Sequence, residues 1–210
     1  MPSLVGSEMC IRDRYYFMGD FMDFFDLHCD TLTECMDDGD SLLKNERDID
    51  FERGSIFGRW NQVFAVFVPD SMDDSLVEGY FDSACNFYFD ELKKKGDVFP
   101  ILSSEDVRGH SRGVMLAMES SRGVGSLERL EKLYERGLRL ITLTWNHKNR
   151  AAGGCDEGGG LTDWGRELVP KMEKLGIVTD VSHLSDRSFY DLLSLIHISE
   201  PTRLGMISYA

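Results

Sequence analysis

Short apolar segments and amphipathic helical patterns alternate along the middle of this chain. Five segments are predicted as strands because they are short, mostly apolar and followed by polar residues, and they cover 21–30, 62–69, 113–120, 138–145 and 176–183. Between and after them, apolar residues recur every three or four positions. This spacing predicts helices over 74–95, 126–136, 162–175 and 186–193.

The ends of two predicted helices carry the residues that helix ends favour. Ser126 precedes the helix that closes before Gly137, and it is placed to cap the free backbone N–H groups of the first turn. Gly176 closes the helix that begins at Thr162. Pro170 lies inside that helix and should distort it, because proline lacks a backbone N–H.

Strands that alternate with helices are typical of parallel βα units. The unbroken apolar runs predict strands that are buried on both faces, as parallel sheets require. We therefore expect an α/β fold. A doubly wound sheet and a (β/α)8 barrel both fit the pattern, and five units fall short of a closed barrel.

The two ends of the chain differ from the middle. Residues 1–14 and 194–210 have no clean periodicity and resemble translated sequencing-adapter sequence, although ordinary flexible termini are the alternative. We expect both stretches to be non-native extensions of a segment at 15–193. That segment is shorter than the roughly 250 residues of a complete (β/α)8 barrel, so we expect about five βα units of a truncated barrel.

Composition narrows the classes of partner. The chain has 210 residues with 23 basic and 37 acidic side chains and a net charge of −14, which argues against binding to nucleic acids or anionic membranes. No apolar run approaches the roughly 20 residues that span a bilayer. The five cysteines form no CxxC pair, so no disulfide framework is indicated and a cytoplasmic location is expected.

Four metal-ligand side chains stand where predicted strands end. His28 and Asp30 are two residues apart and share a strand face, while Glu119 and His183 end later strands. Taken singly, the His-x-Asp pair could be a surface accident, Glu119 could pair with Arg122, and His183 could be a packed histidine. In a barrel, however, the carboxyl ends of the strands meet at one mouth.

Two imidazoles and two carboxylates suit Zn²⁺, and Mn²⁺ or Fe²⁺ could also bind them. A carboxylate can bridge two metal ions about 3.5–4 Å apart, the spacing of two-metal hydrolytic sites. Such a site polarises a carbonyl and lowers the pKa of a bridging water. The residues therefore point to hydrolysis of an amide near neutral pH.

These residues lie in segments that resemble the membrane (renal) dipeptidase family of metallopeptidases, in the amidohydrolase-like barrel superfamily. The most specific match is 160–193, where a Gly-Leu-Thr helix start is followed by a strand ending in Asp-Val-Ser-His, and the other matching stretches are 25–34, 61–69, 116–120 and 137–149. The resemblance implies that His28 and Asp30 bind one zinc, that Glu119 bridges both and that His183 binds the second. It also implies that a metal-bridging hydroxide hydrolyses a dipeptide substrate.

The match ends at about Leu193, before the family's further histidine ligand, its substrate-binding arginine and its proton-handling aspartate. Many members also carry a histidine that stabilises the tetrahedral intermediate where this chain has Trp145. His147 lies two positions on and would share that strand face if the strand continues. It is therefore a candidate catalytic substitute, and an ordinary loop histidine is the alternative.

Two other hypotheses remain open from the sequence. The chain could be an inactive barrel fragment, because an open barrel exposes unpaired strand edges. It could also be another metal hydrolase of the same superfamily, but those enzymes usually begin with His-x-His, and His28-Cys29-Asp30 argues against that. Beyond the dipeptide, the partner considered is a second copy of the chain in a homodimer.

Overall fold

The computed structural model describes residues 22–199, with side chains described up to residue 196. Within this range, six strands run β1 (Asp23–Asp26), β2 (Arg59–Phe67), β3 (Phe99–Pro100), β4 (Arg112–Glu119), β5 (Leu138–Thr142) and β6 (Val178–Asp180). The helices are α1 (Thr31–Asp38), α2 (Phe51–Gly54), α3 (Asp74–Lys93), α4 (Asp106–Gly109), α5 (Leu127–Glu135), α6 (Asp163–Leu175) and α7 (Asp186–Ser199). A 3₁₀ turn covers Ser121–Val124.

The strands form one sheet in the order β1-β2-β4-β5-β6, and β3 also pairs with β4. Parallel register places Phe24 opposite Trp60, Pro100 opposite Val114 and Leu140 opposite Val178. Helices connect most of these strands, as parallel pairing requires. The structure therefore confirms the α/β fold built from parallel βα units.

By contacts between residues, the described chain divides into two compact units. The first unit comprises 22–65 and 84–116. Its core is aromatic, since the buried ring of Phe51 packs edge-on against Trp60 and Phe64. Gly54 lies against Trp60 so closely that a Cβ atom would overlap the indole ring, which explains the glycine at this position.

The second unit comprises 66–83 and 117–199, and its helices end as the sequence predicts. Ser126 Oγ accepts a hydrogen bond of 3.1 Å from Arg129 N, and Thr162 Oγ1 accepts one of 3.0 Å from Gly165 N. Gly176 closes α6 in the left-handed region at φ +83°. Pro170 lies inside α6, which runs unbroken from residue 163 to 175.

The predicted strands were too long at three places. β1 has four residues and β6 has three, and β5 ends at Thr142 rather than at residue 145. Burial on both faces is confirmed for β2 and β4. It is wrong for β1, whose residues are mostly exposed, and for β6. These two strands stand at the ends of the described strand order, where each has a neighbour on one side only.

Several short elements carry too little periodicity to be predicted, including α1, α2, α4 and the two-residue β3. The proposed extension at 1–14 lies outside the described residues, and so do residues 200–210. α7 continues past the predicted boundary at residue 193 and ends at Ser199. Among the described helices, none combines the length and the apolar character that crossing a membrane would take.

Candidate metal centre

His28 and Asp30 lie in the first unit, just beyond the end of β1. Cys29, between them, continues the strand pairing, because its N donates to Val63 O at 3.1 Å and its O accepts from Ala65 N at 2.9 Å. Side chains on either side of a paired strand residue point the same way. His28 Nε2 accordingly lies 3.4 Å from Asp30 Oδ1. The structure brings this predicted pair together.

The Asp30 carboxylate has an oxygen that is ready for a ligand. Its main-chain O accepts the first hydrogen bonds of α1 from Thr33 N and Glu34 N, which fixes the residue at the helix start. Its Oδ1 is buried, and among residues 22–199 it accepts no hydrogen bond, although His28 Nε2 lies 3.4 Å away. A buried carboxylate oxygen of this kind is costly unless a charge or a metal ion satisfies it.

Cys29 lies between these two residues without being a nucleophile. Burial raises the pKa of its thiol to about 12, an effect that the hydrogen bond from Thr31 only partly offsets. The thiol therefore stays protonated at neutral pH, and the thiolate is the reactive form. Cys29 is therefore the paired backbone residue between His28 and Asp30 and not a reacting group.

Glu119 and His183 meet within the second unit. Glu119 is the last residue of β4 and is 3% exposed, and its Oε1 lies 3.2 Å from His183 Nε2. The sequence offered Arg122 as an alternative partner for Glu119. Arg122 instead donates to the Asp74 carboxylate and to the main-chain carbonyls of Pro69 and Met72. The carboxylate of Glu119 thus faces an imidazole.

The sequence predicted that His183 ends a strand, and this prediction is wrong. β6 ends three residues earlier, and His183 adopts a left-handed backbone with φ +63°. This conformation costs a non-glycine residue on the order of 1–3 kcal/mol and occurs most often at functional sites. Two hydrogen bonds hold it, since the His183 carbonyl accepts from Cys155 N and from Thr144 Oγ1.

The loop after β5 surrounds the His183 ring with residues that sequence reasoning did not select. Asn146 Oδ1 lies 2.9 Å from His183 Nδ1. The Trp145 ring lies 6.3 Å from the His183 ring and packs edge-on against Phe67. No regular spacing links Asn146 to the predicted ligands, so no pattern in the sequence could have identified it.

His147 lies in the same loop, so the strand face that it was expected to share with Trp145 does not exist. Its Nδ1 lies 2.6 Å from Asp70 Oδ2. The hydrogen bond to Asp70 raises the pKa of His147, which keeps the half-exposed imidazole protonated to a higher pH. Within the second unit, His147 lines a cavity of about 650 Å³ together with Asp70, Arg122, Arg150 and Glu157.

The donors fit a divalent metal ion. In the first unit His28 is paired with Asp30, and in the second unit Glu119 is paired with His183. Each pair offers a neutral nitrogen and an anionic oxygen, the ligand atoms that zinc accepts. The buried Asp30 Oδ1 and the buried Glu119 carboxylate are the oxygens that gain most from a cation. The structure thus brings together two imidazole–carboxylate pairs, His28 with Asp30 and Glu119 with His183.

The sequence model of the membrane dipeptidase family, peptidase family M19, matches residues 17–199. An uncharacterised protein in the PQQ-III 3′ region of Acinetobacter calcoaceticus is 28% identical over 102 residues, covering 44% of this chain and 32% of that protein. An uncharacterised dipeptidase of Schizosaccharomyces pombe is 38% identical over 76 residues, covering 33% of this chain and 18% of that protein. The matches with these relatives thus span a third of their length or less.

Two solved structures share the fold. The M19 dipeptidase AC superposes with a TM-score of 0.73 at 20% identity, covering 83% of this chain and 60% of that one. A metallopeptidase from Rhodobacter sphaeroides, solved with a phosphinate mimic of the dipeptide L-Ala-D-Ala, gives 0.72 at 18% identity, covering 84% and 63%. These likenesses confirm the fold expected from the sequence, a partial (β/α)8 barrel.

Proposed function

Because the chain belongs to the membrane dipeptidase family, peptidase family M19, we propose that it supplies part of a metal-dependent site that hydrolyses the peptide bond of a dipeptide. The contact between the Glu119 carboxylate and the His183 imidazole supports this most strongly. It joins a buried carboxylate to a histidine held in a strained backbone conformation.

The proposed ligands are His28 and Asp30 for one ion, His183 for a second, and Glu119 shared between the two. His28 and Asp30 follow β1, Glu119 ends β4 and His183 follows β6. Each of these residues thus stands at or just beyond the carboxyl end of a strand, where parallel α/β folds place their sites. Imidazole and carboxylate donors favour zinc, with Mn²⁺ and Fe²⁺ as alternatives.

Bound to these residues, the metal ions would polarise the peptide carbonyl and lower the pKa of a water molecule. Glu119 has the two carboxylate oxygens that a shared ligand needs. Its backbone is fixed, because its main-chain O accepts a hydrogen bond of 2.7 Å from Val68 N. The buried thiol of Cys29 takes no part, since burial keeps its pKa high.

His147 is proposed to stabilise the tetrahedral oxyanion. Asp70 occupies Nδ1, so Nε2 is the ring nitrogen that can donate a proton to a substrate oxygen. A protonated imidazole is a stronger donor than a neutral one, and the hydrogen bond to Asp70 favours the protonated form by raising the pKa. Preorganised donors of this kind contribute strongly to acyl-transfer reactions.

A dipeptide is the proposed substrate. The family is one of dipeptidases, and the Rhodobacter sphaeroides relative holds a mimic of L-Ala-D-Ala. A metal-binding chain without turnover is the second candidate, since each imidazole–carboxylate pair could bind an ion whether or not hydrolysis follows.

Activity and metal content, measured on the same protein, separate these candidates. The chain is loaded with zinc, dialysed and assayed for release of amino acids from L-Ala-L-Ala and L-Ala-D-Ala. We expect zinc-dependent hydrolysis that Glu119→Gln abolishes. Glu167→Gln, which changes an exposed carboxylate on α6, is the matched control and should keep full activity. Zinc binding without hydrolysis of either dipeptide would favour the second candidate.

A further inference from the structure

The two ring nitrogens of His183 have different partners. Glu119 Oε1 lies 3.2 Å from Nε2, whereas Asn146 Oδ1 lies 2.9 Å from Nδ1. A histidine that binds a metal through one nitrogen donates the proton on the other to a neighbouring acceptor. In His183, Nδ1 faces such an acceptor, while Nε2 faces a carboxylate that could share a metal ion with it.

The Asn146 amide oxygen has a second neighbour besides His183. The thiol of Cys155 lies 3.6 Å from Asn146 Oδ1, so the amide oxygen faces both side chains. The main chain is fixed as well, because Asp156 N donates to Asn146 O at 2.9 Å. Asn146 thus presents an acceptor to His183 from a loop held at several points.

We propose that Asn146 is a positioning residue that fixes His183 for metal binding, an inference that rests on the proposed function. Its Oδ1 accepts the proton of His183 Nδ1, which leaves Nε2 as the nitrogen that binds a metal ion beside Glu119. A metal ion bound at Nε2 uses the lone pair of that nitrogen, so any proton there leaves when the metal binds.

The His183 backbone is held by the same loop but through different groups. Its carbonyl accepts from Cys155 N and from Thr144 Oγ1, and neither bond involves the Asn146 side chain. Shortening Asn146 therefore removes the contact to the ring and leaves the strained backbone supported. This separation allows the role of the side chain to be tested without unfolding the loop.

Zinc affinity, measured by competition with a chromophoric chelator, tests the proposal. Asn146→Ala should weaken zinc binding roughly 10- to 100-fold, the usual effect of removing an outer partner of a metal-binding histidine. Asn146→Asp keeps an acceptor at the same place and should bind zinc at least as tightly as the unmodified chain. Lys148→Ala, in the same loop with its side chain paired to Glu157 at the surface, is the control and should leave the affinity unchanged.

The histidine ring itself gives a second readout that needs no metal. In ¹⁵N NMR spectra of the metal-free chain, the unmodified protein and Asn146→Asp should show a protonated, hydrogen-bonded Nδ1 on His183, and Asn146→Ala should lose that signature. The inference is overturned if Asn146→Ala binds zinc as the unmodified chain does, or if Asn146→Asp is as weak as Asn146→Ala. An unmodified chain that binds no zinc would overturn the proposed function first, before any variant is compared.

Discussion

The left-handed backbone of His183 predicts an unusual order of stability between two substitutions at that residue. His183→Ala and His183→Gly both remove the imidazole and its contact with Glu119, so the loss of that contact is common to the two variants. They differ in how well each residue adopts φ +63°. The left-handed conformation destabilises the folded state by about 1–2 kcal/mol when the residue is alanine. Glycine pays no such penalty but loses about 0.5–1 kcal/mol more than alanine in chain entropy on folding.

The difference between the midpoints of these two ranges leaves His183→Gly more stable than His183→Ala by roughly 0.75 kcal/mol. Urea unfolding in the presence of a chelator measures this directly, because the metal-free proteins are then compared. The matched pair is Lys132→Gly and Lys132→Ala on the exposed face of α5, where alanine should be the more stable by about 1 kcal/mol. If alanine is also the better residue at position 183, the strained conformation is not present in the folded chain.

Three further predictions follow from the second unit. Asp70→Asn removes the hydrogen bond that raises the His147 pKa; since the protonated ring is the active donor, the fall of kcat with rising pH should move to lower pH, and an unchanged pH profile would argue against the proposed role of His147. Ser126→Ala removes the cap of α5 and should lower the free energy of unfolding by about 1 kcal/mol in urea titrations, whereas no change would mean that the cap is not formed in solution. Gly165→Ala would place a Cβ atom against the carbonyl of Ala151, so thermal unfolding should show a lower Tm, and an unchanged Tm would contradict this close approach.

The residues proposed as ligands could be selected from the sequence because each stands beside a strand of the predicted sheet. β1 ends at Asp26, two residues before His28. His28 and Asp30 still point to the same side of the chain, because Cys29 between them continues the pairing with β2. Side chains continue to alternate between the two faces as long as the backbone hydrogen bonds to the neighbouring strand continue. The pattern therefore gave the correct pair without giving the correct strand end.

His183 and His147 show where the pattern stops being informative. Both follow short strands, and a strand face cannot be extended into a loop whose path is set by long-range hydrogen bonds. The turn that carries His183 is fixed by Cys155 and Thr144, which are distant in sequence. The partner of His147, Asp70, lies 77 residues away. Asp70 begins a short acidic stretch, a pattern that is typical of solvated surface and does not indicate a partner for His147.

Other expectations from the sequence stay predictions. The cytoplasmic location, the homodimer and the non-native nature of residues 1–14 and 194–210 concern properties that the described residues do not report. The identity of the metal also stays a proposal, since imidazole and carboxylate donors are shared by zinc, manganese and iron sites.

Zinc content after dialysis tests the central claim most directly, because Glu119 is the ligand proposed to be shared. The unmodified chain and Glu167→Gln should retain equal amounts of zinc. Asp30→Asn and His183→Ala should each lose part of it, and Glu119→Gln should lose more than either. Retention of zinc by Glu119→Gln at the level of Glu167→Gln would contradict the account.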